Sequence, residues 1–77
     1  MKVYIILNLF ANLKTYTPVS SGRYPVTPGI TVKRLLGEIG VPENEVKLVF
    51  IDGIKRDLAF GLIGGERVGI FPAVGGG

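Results

Sequence analysis

Thr31-Val32-Lys33-Arg34-Leu35-Leu36-Gly37-Glu38-Ile39-Gly40-Val41-Pro42 decides the fold, because it is the one stretch of the 77 residues that reads as a helix. Thr31 can cap it by accepting a hydrogen bond from a free backbone N–H. Val32, Leu35, Leu36 and Ile39 recur at i, i+3, i+4 and i+7 and form a single apolar stripe. Gly40 supplies the left-handed stop, and Pro42 blocks any continuation. About two and a half turns result at 3.6 residues per turn, and Gly37 weakens them further. Such a helix is marginal alone and has to pack on a sheet.

Strand signals lie on both sides of it. Upstream, Lys2 to Phe10 alternates Val3, Ile5, Leu7 and Leu9 with Tyr4, Ile6, Asn8 and Phe10, which reads as a strand apolar on both faces at the centre of a sheet. Ala11 to Gly22 carries Asn, Thr, Pro, Ser and Gly and reads as a loop. Arg23 to Val26 is a short strand whose Pro25 predicts an edge position. Downstream, Lys47 to Ile51 is a third strand. Asp52-Gly53 signals a hairpin turn, and Ile54 to Leu58 returns as a fourth strand. Ala59 to Glu66 is a glycine-containing connection, Arg67 to Phe71 is the last strand, and Pro72 ends it. Asp52, Asp57 and Glu66 fall at turns, where carboxylates bind backbone N–H groups.

The order is strand, strand, helix, strand, strand, strand. It predicts an α+β domain over residues 1–72, a mixed sheet of four to five strands with one main helix packed across one face. The first and last strands, the most apolar, sit side by side in its centre. This order is similar to the β-grasp plan of ubiquitin. Residues 73–77 are expected to form a flexible, glycine-rich tail.

Composition narrows the function classes. The chain has no cysteine and no histidine, so it carries no disulfide, no Ser-His or Cys-His nucleophile and no Cys/His metal site. The net charge of +3 comes from scattered Lys and Arg, adjacent only at Lys33-Arg34 and Lys55-Arg56. That reads as a solvated surface and not as a nucleic-acid interface. No apolar run reaches membrane-spanning length. The apolar start resembles a signal peptide only until Asn8, Asn12 and Lys14 interrupt it, so it is read as a strand of a cytoplasmic protein. Gly64 and Gly65 lie between strands, not between a strand and a helix, which argues against a phosphate loop. Glu43 and Glu45 flank Asn44 in a polar link and read as solvated.

What remains is the end, Ala73-Val74-Gly75-Gly76-Gly77. Glycine-rich ends are often no more than frayed termini. Here the end follows directly on the final strand. Residues without side chains can thread a narrow channel and lie against another protein's backbone.

Glu66-Arg67-Val68-Gly69-Ile70-Phe71-Pro72-Ala73-Val74-Gly75-Gly76-Gly77 resembles the end of the MoaD/ThiS family of ubiquitin-like sulfur carriers. In that family a gly-acidic-x-val turn and strand lead into phe-pro-pro-val and gly-gly. Leu9-Phe10-Ala11-Asn12-Leu13-Lys14 is similar to the family's phe-ala-x-leu-arg segment. The chain departs from the pattern at Gly64, where the family has an acidic or polar residue, at Lys14 and Thr15, at Ala73, and in its third glycine. The phe-pro ending looks more like the molybdopterin type than the thiamine type.

The resemblance implies a carrier, not an enzyme. Gly77 would be adenylated and converted to a thiocarboxylate, Gly75 and Gly76 would thread the partner's channel, and Phe10, Phe71 and Val74 would contact the partner. By the residues alone, Phe10 and Phe71 are either core or rim anchors, since each ends its strand beside the tail. No bound cofactor is implied. ATP belongs to the partner, an activating adenylyltransferase of the ubiquitin-activating type, and a synthase large subunit accepts the sulfur. Thiamine or cysteine synthesis is the alternative destination. A protein modifier joined through the same glycine, and an interaction module without tail chemistry, are the competing functions.

Overall fold

The computed structural model describes residues 1–73. Of the expected tail, only Ala73 is among them; Val74, Gly75, Gly76 and Gly77 lie outside the described residues. Five strands form one sheet: β1 (Val3–Leu9), β2 (Tyr24–Val26), β3 (Val46–Ile51), β4 (Ile54–Arg56) and β5 (Arg67–Pro72). The one α-helix among the described residues, α1 (Val32–Ile39), lies between β2 and β3 in sequence. Sheet order is β2-β1-β5-β3-β4. β1 and β5 are parallel neighbours in the middle, with Ile6 opposite Arg67 and Leu9 opposite Ile70. The other pairs are antiparallel. β2, with its Pro25, is an edge, as its missing N–H requires.

The helix forms where its signals place it. Thr31 Oγ1 accepts the Arg34 N–H at 3.1 Å. Gly40 adopts φ 84° and returns its N–H to the Leu36 carbonyl. Val32, Leu35 and Leu36 are fully buried against Ile5, Leu7, Leu9, Val49, Ile51, Val68 and Ile70, while Ile39 packs at the margin. The loop after β4 also holds the helix start. Val32 N–H donates to the Phe60 carbonyl at 3.0 Å and Lys33 N–H to Leu58 at 2.9 Å. Backbone groups that a helix start leaves unpaired are thereby satisfied inside the fold.

Four details differ from the expectation. First, β1 is buried on one face only. Ile5, Leu7 and Leu9 are in the core, whereas Tyr4, Ile6 and Phe10 on the other face are 41%, 37% and 37% exposed. An eight-residue helix is about 12 Å long. It covers one face, and no helix among the described residues covers the other. Second, β4 stops at Arg56 and not at Leu58. The cause is local: Asp57 Oδ1 accepts the Ala59 N–H at 2.9 Å and turns the chain out of the sheet. Third, the segment read as a loop forms two short 3-10 helices, Ala11–Tyr16 and Ser21–Arg23; the first places Leu13 fully in the core, and the second takes in Arg23, so that β2 starts at Tyr24 and not at Arg23. Fourth, Pro72 does not end the last strand but belongs to it, opposite Val46.

The hairpin turn is as expected, with Asp52 at φ 52° and Gly53 at φ 82°, the sign pattern of the two-residue turn that matches strand twist. Gly64 is required on two counts. Its φ is +119°, and a methyl group there would lie 2.7 Å from Val3 Cβ. Gly64→Ala should cost about 2 kcal/mol, from backbone strain and overpacking together. A urea midpoint equal to that of the unchanged chain would refute this.

Candidate docking face at the root of the tail

Alternation along the strands decides what the open face presents. From β1 come Tyr4, Ile6 and Asn8, with Phe10 just past its end; from β5 come Arg67, Gly69 and Phe71. Register adds the neighbours. Leu48 lies opposite Phe71, and Phe50 lies opposite both Gly69 and, across β4, Lys55. Three phenylalanines therefore meet in one place. Phe10 and Phe71 stack with ring centroids 4.2 Å apart and planes within 5°. Phe50 meets Phe71 edge-on at 5.5 Å. Such pairs contribute about 0.5–1.5 kcal/mol beyond the area they bury, so the cluster is held in one arrangement before anything docks on it. The Phe10 N–H donates to the Ile70 carbonyl at 3.1 Å and fixes the end of β1 against β5.

Two shallow clefts flank the stacked pair, and Phe10 and Phe71 line both. One, of about 340 Å³, is floored by Gly69 and walled by Phe10, Phe50 and Phe71, with Asn8, Gly53 and Arg67 at its margin. The other, of about 440 Å³, runs past Ala11, Asn12, Lys47 and Leu48 to Pro72 and Ala73. Ala73, where the described chain leaves the sheet, donates its N–H to the Glu45 carbonyl at 3.2 Å. The root of the tail thus opens beside the aromatic cluster.

Phe10 and Phe71 are therefore rim residues on the open face and not core residues. Phe50, Leu48 and Gly69 were missed by sequence reasoning. A signal for Gly69 existed: a glycine inside a strand often marks a close approach of another group. Glu66 was read as a turn carboxylate, and the structure gives it a definite part. It is 7% exposed. Its Oε2 accepts the Ile63 N–H and its Oε1 the Gly64 N–H, both at 2.7 Å. Asp52 Oδ1 accepts the Arg67 N–H at 3.0 Å. No cluster of acidic side chains among the described residues is arranged to hold a metal. No helix among them is long and apolar enough to cross a membrane.

The sequence model of the Mut7-C ubiquitin family matches residues 1–75, nearly the whole chain. The chain belongs to that family. Solved structures of other ubiquitin-like proteins superpose on this Mut7-C ubiquitin family member along most of their length. A Pyrococcus furiosus protein provisionally assigned as molybdopterin converting factor, subunit 1, is 20% identical with a TM-score of 0.65, covering 94% of this chain and 99% of its own. The Haloferax volcanii small archaeal modifier protein 1 is 19% identical with a TM-score of 0.67 over the same shares. A second Haloferax volcanii protein, solved in solution, is 21% identical with a TM-score of 0.74, covering 99% of this chain and 88% of its own. At these identities the likeness is one of fold, and the fold is the expected ubiquitin-like β-grasp. No curated protein matches the chain.

Proposed function

We propose that the chain is a ubiquitin-like carrier whose Gly77 carboxylate is activated by a separate enzyme. One observation carries this reading. β5, in the middle of the sheet, delivers the chain to Ala73 beside an open aromatic cluster. Four residues beyond Ala73 span at most about 14 Å. An active site that reaches Gly77 would come down beside the face that holds Phe10 and Phe71. Reach and docking surface are matched, and Gly75 and Gly76 offer no side chain to obstruct a narrow channel. Val74, the last residue with a side chain, would make the final contact before the channel.

The chemistry asks little of the carrier itself. A carboxylate oxygen of Gly77 attacks the α-phosphorus of ATP, pyrophosphate leaves, and an acyl adenylate results. A donor at the hydrosulfide level of oxidation then adds to the acyl carbon, AMP leaves, and the thiocarboxylate remains. Glycine suits both steps because no β-carbon crowds the acyl carbon. ATP and the catalytic groups belong to the activating partner, in the cytoplasm. The sulfur passes to a synthase large subunit in molybdenum or tungsten cofactor synthesis, a destination favoured by the phe-pro ending. Thiamine or cysteine synthesis would use the same thiocarboxylate. The likeness to a small archaeal modifier supports a second reading, in which the adenylated glycine is joined to lysines of other proteins.

The test is an intact mass of the protein from its native host, or after incubation with the activating enzyme, ATP and a sulfur donor. The same mass shows whether the mature chain ends at Gly77, as this reading requires. Replacement of one oxygen by sulfur at Gly77 is the expected result. An unmodified terminus, with the enzyme active on another carrier, would refute the carrier reading. Lysine-linked conjugates that vanish with the tail would favour the modifier.

A further inference from the structure

The open face is selective in charge as well as in shape. Its cations are Arg67 on β5 and Lys55 on β4, with Lys47 at the tail end and Arg23 at the far end, where the guanidinium lies 4.1 Å from the Tyr4 ring centroid. Among the described residues, Asp52 is the one carboxylate that lines any cleft of this face, and one of its oxygens is taken by the Arg67 N–H. Glu66 is turned inward onto backbone amides, and Glu38 stands on the helix beneath the opposite side of the sheet. The clefts of this face are therefore lined by more basic groups than acidic ones, with Asp52 as the exception among the described residues.

At the centre of that surface Gly69 leaves a space. A methyl group there would stand 3.5 Å from Phe10 Cε2 and 3.5 Å from Phe71 Cε1, in ordinary contact with both rings. The cleft thus leaves room for a side chain that the strand itself does not supply, with aromatic walls and Arg67 at its margin. An apolar knob fits the walls, and a carboxylate next to that knob meets Arg67 and Lys55. A second copy of this chain would bring cations against cations, which is repulsive.

We infer that the cleft over Gly69 is a socket for an apolar side chain on an acidic segment of the partner protein, with Arg67 and Lys55 pairing to that segment's carboxylates. This rests on the carrier reading and names the chemistry of the partner surface that the carrier requires. Charge pairing of this kind mainly sets encounter rate and partner choice, while the buried knob holds the complex.

The experiment is adenylation of the full chain by its activating enzyme, followed as ATP–pyrophosphate exchange at increasing carrier concentration. Arg67→Glu and Lys55→Glu should each raise KM for the carrier about tenfold, the scale of a lost interfacial charge pair. Gly69→Leu, which fills the socket, should raise it at least as much. The loss should fall in KM and not in kcat. Added salt should weaken the unchanged chain more than Arg67→Glu, because the pairs are screened. Lys33→Glu makes the same charge change on the helix side and should leave KM unaltered. Amide NMR spectra confirm that each variant folds; Lys55 and Arg67 are both exposed, so either alone suffices. If Arg67→Glu and Lys55→Glu behave like Lys33→Glu while the unchanged chain is adenylated, the socket assignment is wrong and the carrier reading stands. If the unchanged chain is not adenylated at all, the carrier reading fails and takes this partner with it. A dimer that Gly69→Leu dissolves would also overturn the assignment, by showing that a second copy occupies the face.

Discussion

Removal of Gly75, Gly76 and Gly77 is expected to reduce adenylation and thiocarboxylate formation to background while leaving the folded domain intact. The new terminus, at Val74, falls about 10 Å short of the old one. Positioning errors of about 1 Å can cost on the order of a hundredfold in rate, so no residual turnover is expected at that distance. Stability should not change, because among the described residues the last core residue is Ile70 and the last ladder partner is Pro72 opposite Val46. The measurement pairs intact mass after incubation with activating enzyme, ATP and sulfur donor with a thermal melt of the same protein. A truncated chain that still gains sulfur would show that the reactive end is not Gly77. A melt lowered by many degrees would show that the tail is part of the fold.

Glu66→Ala has its largest effect on stability. The carboxylate is almost entirely buried and takes two backbone N–H groups, from Ile63 and Gly64, at 2.7 Å each. Hydrogen bonds to a charged acceptor contribute about 1.5–3 kcal/mol each. Ile63 is largely exposed, so water can replace part of what it loses, and the net cost is about 3 kcal/mol. A domain of this size holds only about 4–12 kcal/mol in total, and the melting temperature should fall by roughly 12–24 °C. The loop reaches β1 through the Gly65 N–H on the Tyr4 carbonyl and the Ile6 N–H on the Glu66 carbonyl, so its loosening should spread into the central strands. Glu66→Gln keeps a carbonyl acceptor for one amide and should recover part of the loss. A melt within 2–3 °C of the unchanged chain, less than the shift for about 1 kcal/mol, would show that the carboxylate is not needed there. The acidic position of the terminal motif then reads as architectural: it shapes the turn that feeds β5, and β5 aims the tail.

Local chemistry was legible because local chemistry produces it. Thr31, the Val32-Leu35-Leu36-Ile39 stripe and Gly40 define the helix through hydrogen bonds and periodicity spanning a few residues. Asp52-Gly53 names its turn because both residues must adopt positive φ. The order of strands around one helix leaves few sheets that bury the helix stripe, and the central place of β1 beside β5 was expected from it. The same reading placed Phe10 and Phe71 near the tail.

Long-range contact decided the rest. Alternation in β1 marks two apolar faces without saying which one is covered, and only the short helix shows that Tyr4, Ile6 and Phe10 are left open. Leu13 and Leu62 sit in segments without periodicity, yet both are fully buried, because contacts distant in sequence bring them into the core. Phe50 and Gly69 are far apart in sequence and become a socket only when β3 pairs with β5. By itself the sequence determined the order of the strands and the one α-helix, where that helix starts and stops, where the hairpin turns, and that the chain runs on past its last strand into glycine. Tertiary structure alone decided which face of the sheet meets solvent and what that face presents, since that depends on how much surface one eight-residue helix can cover.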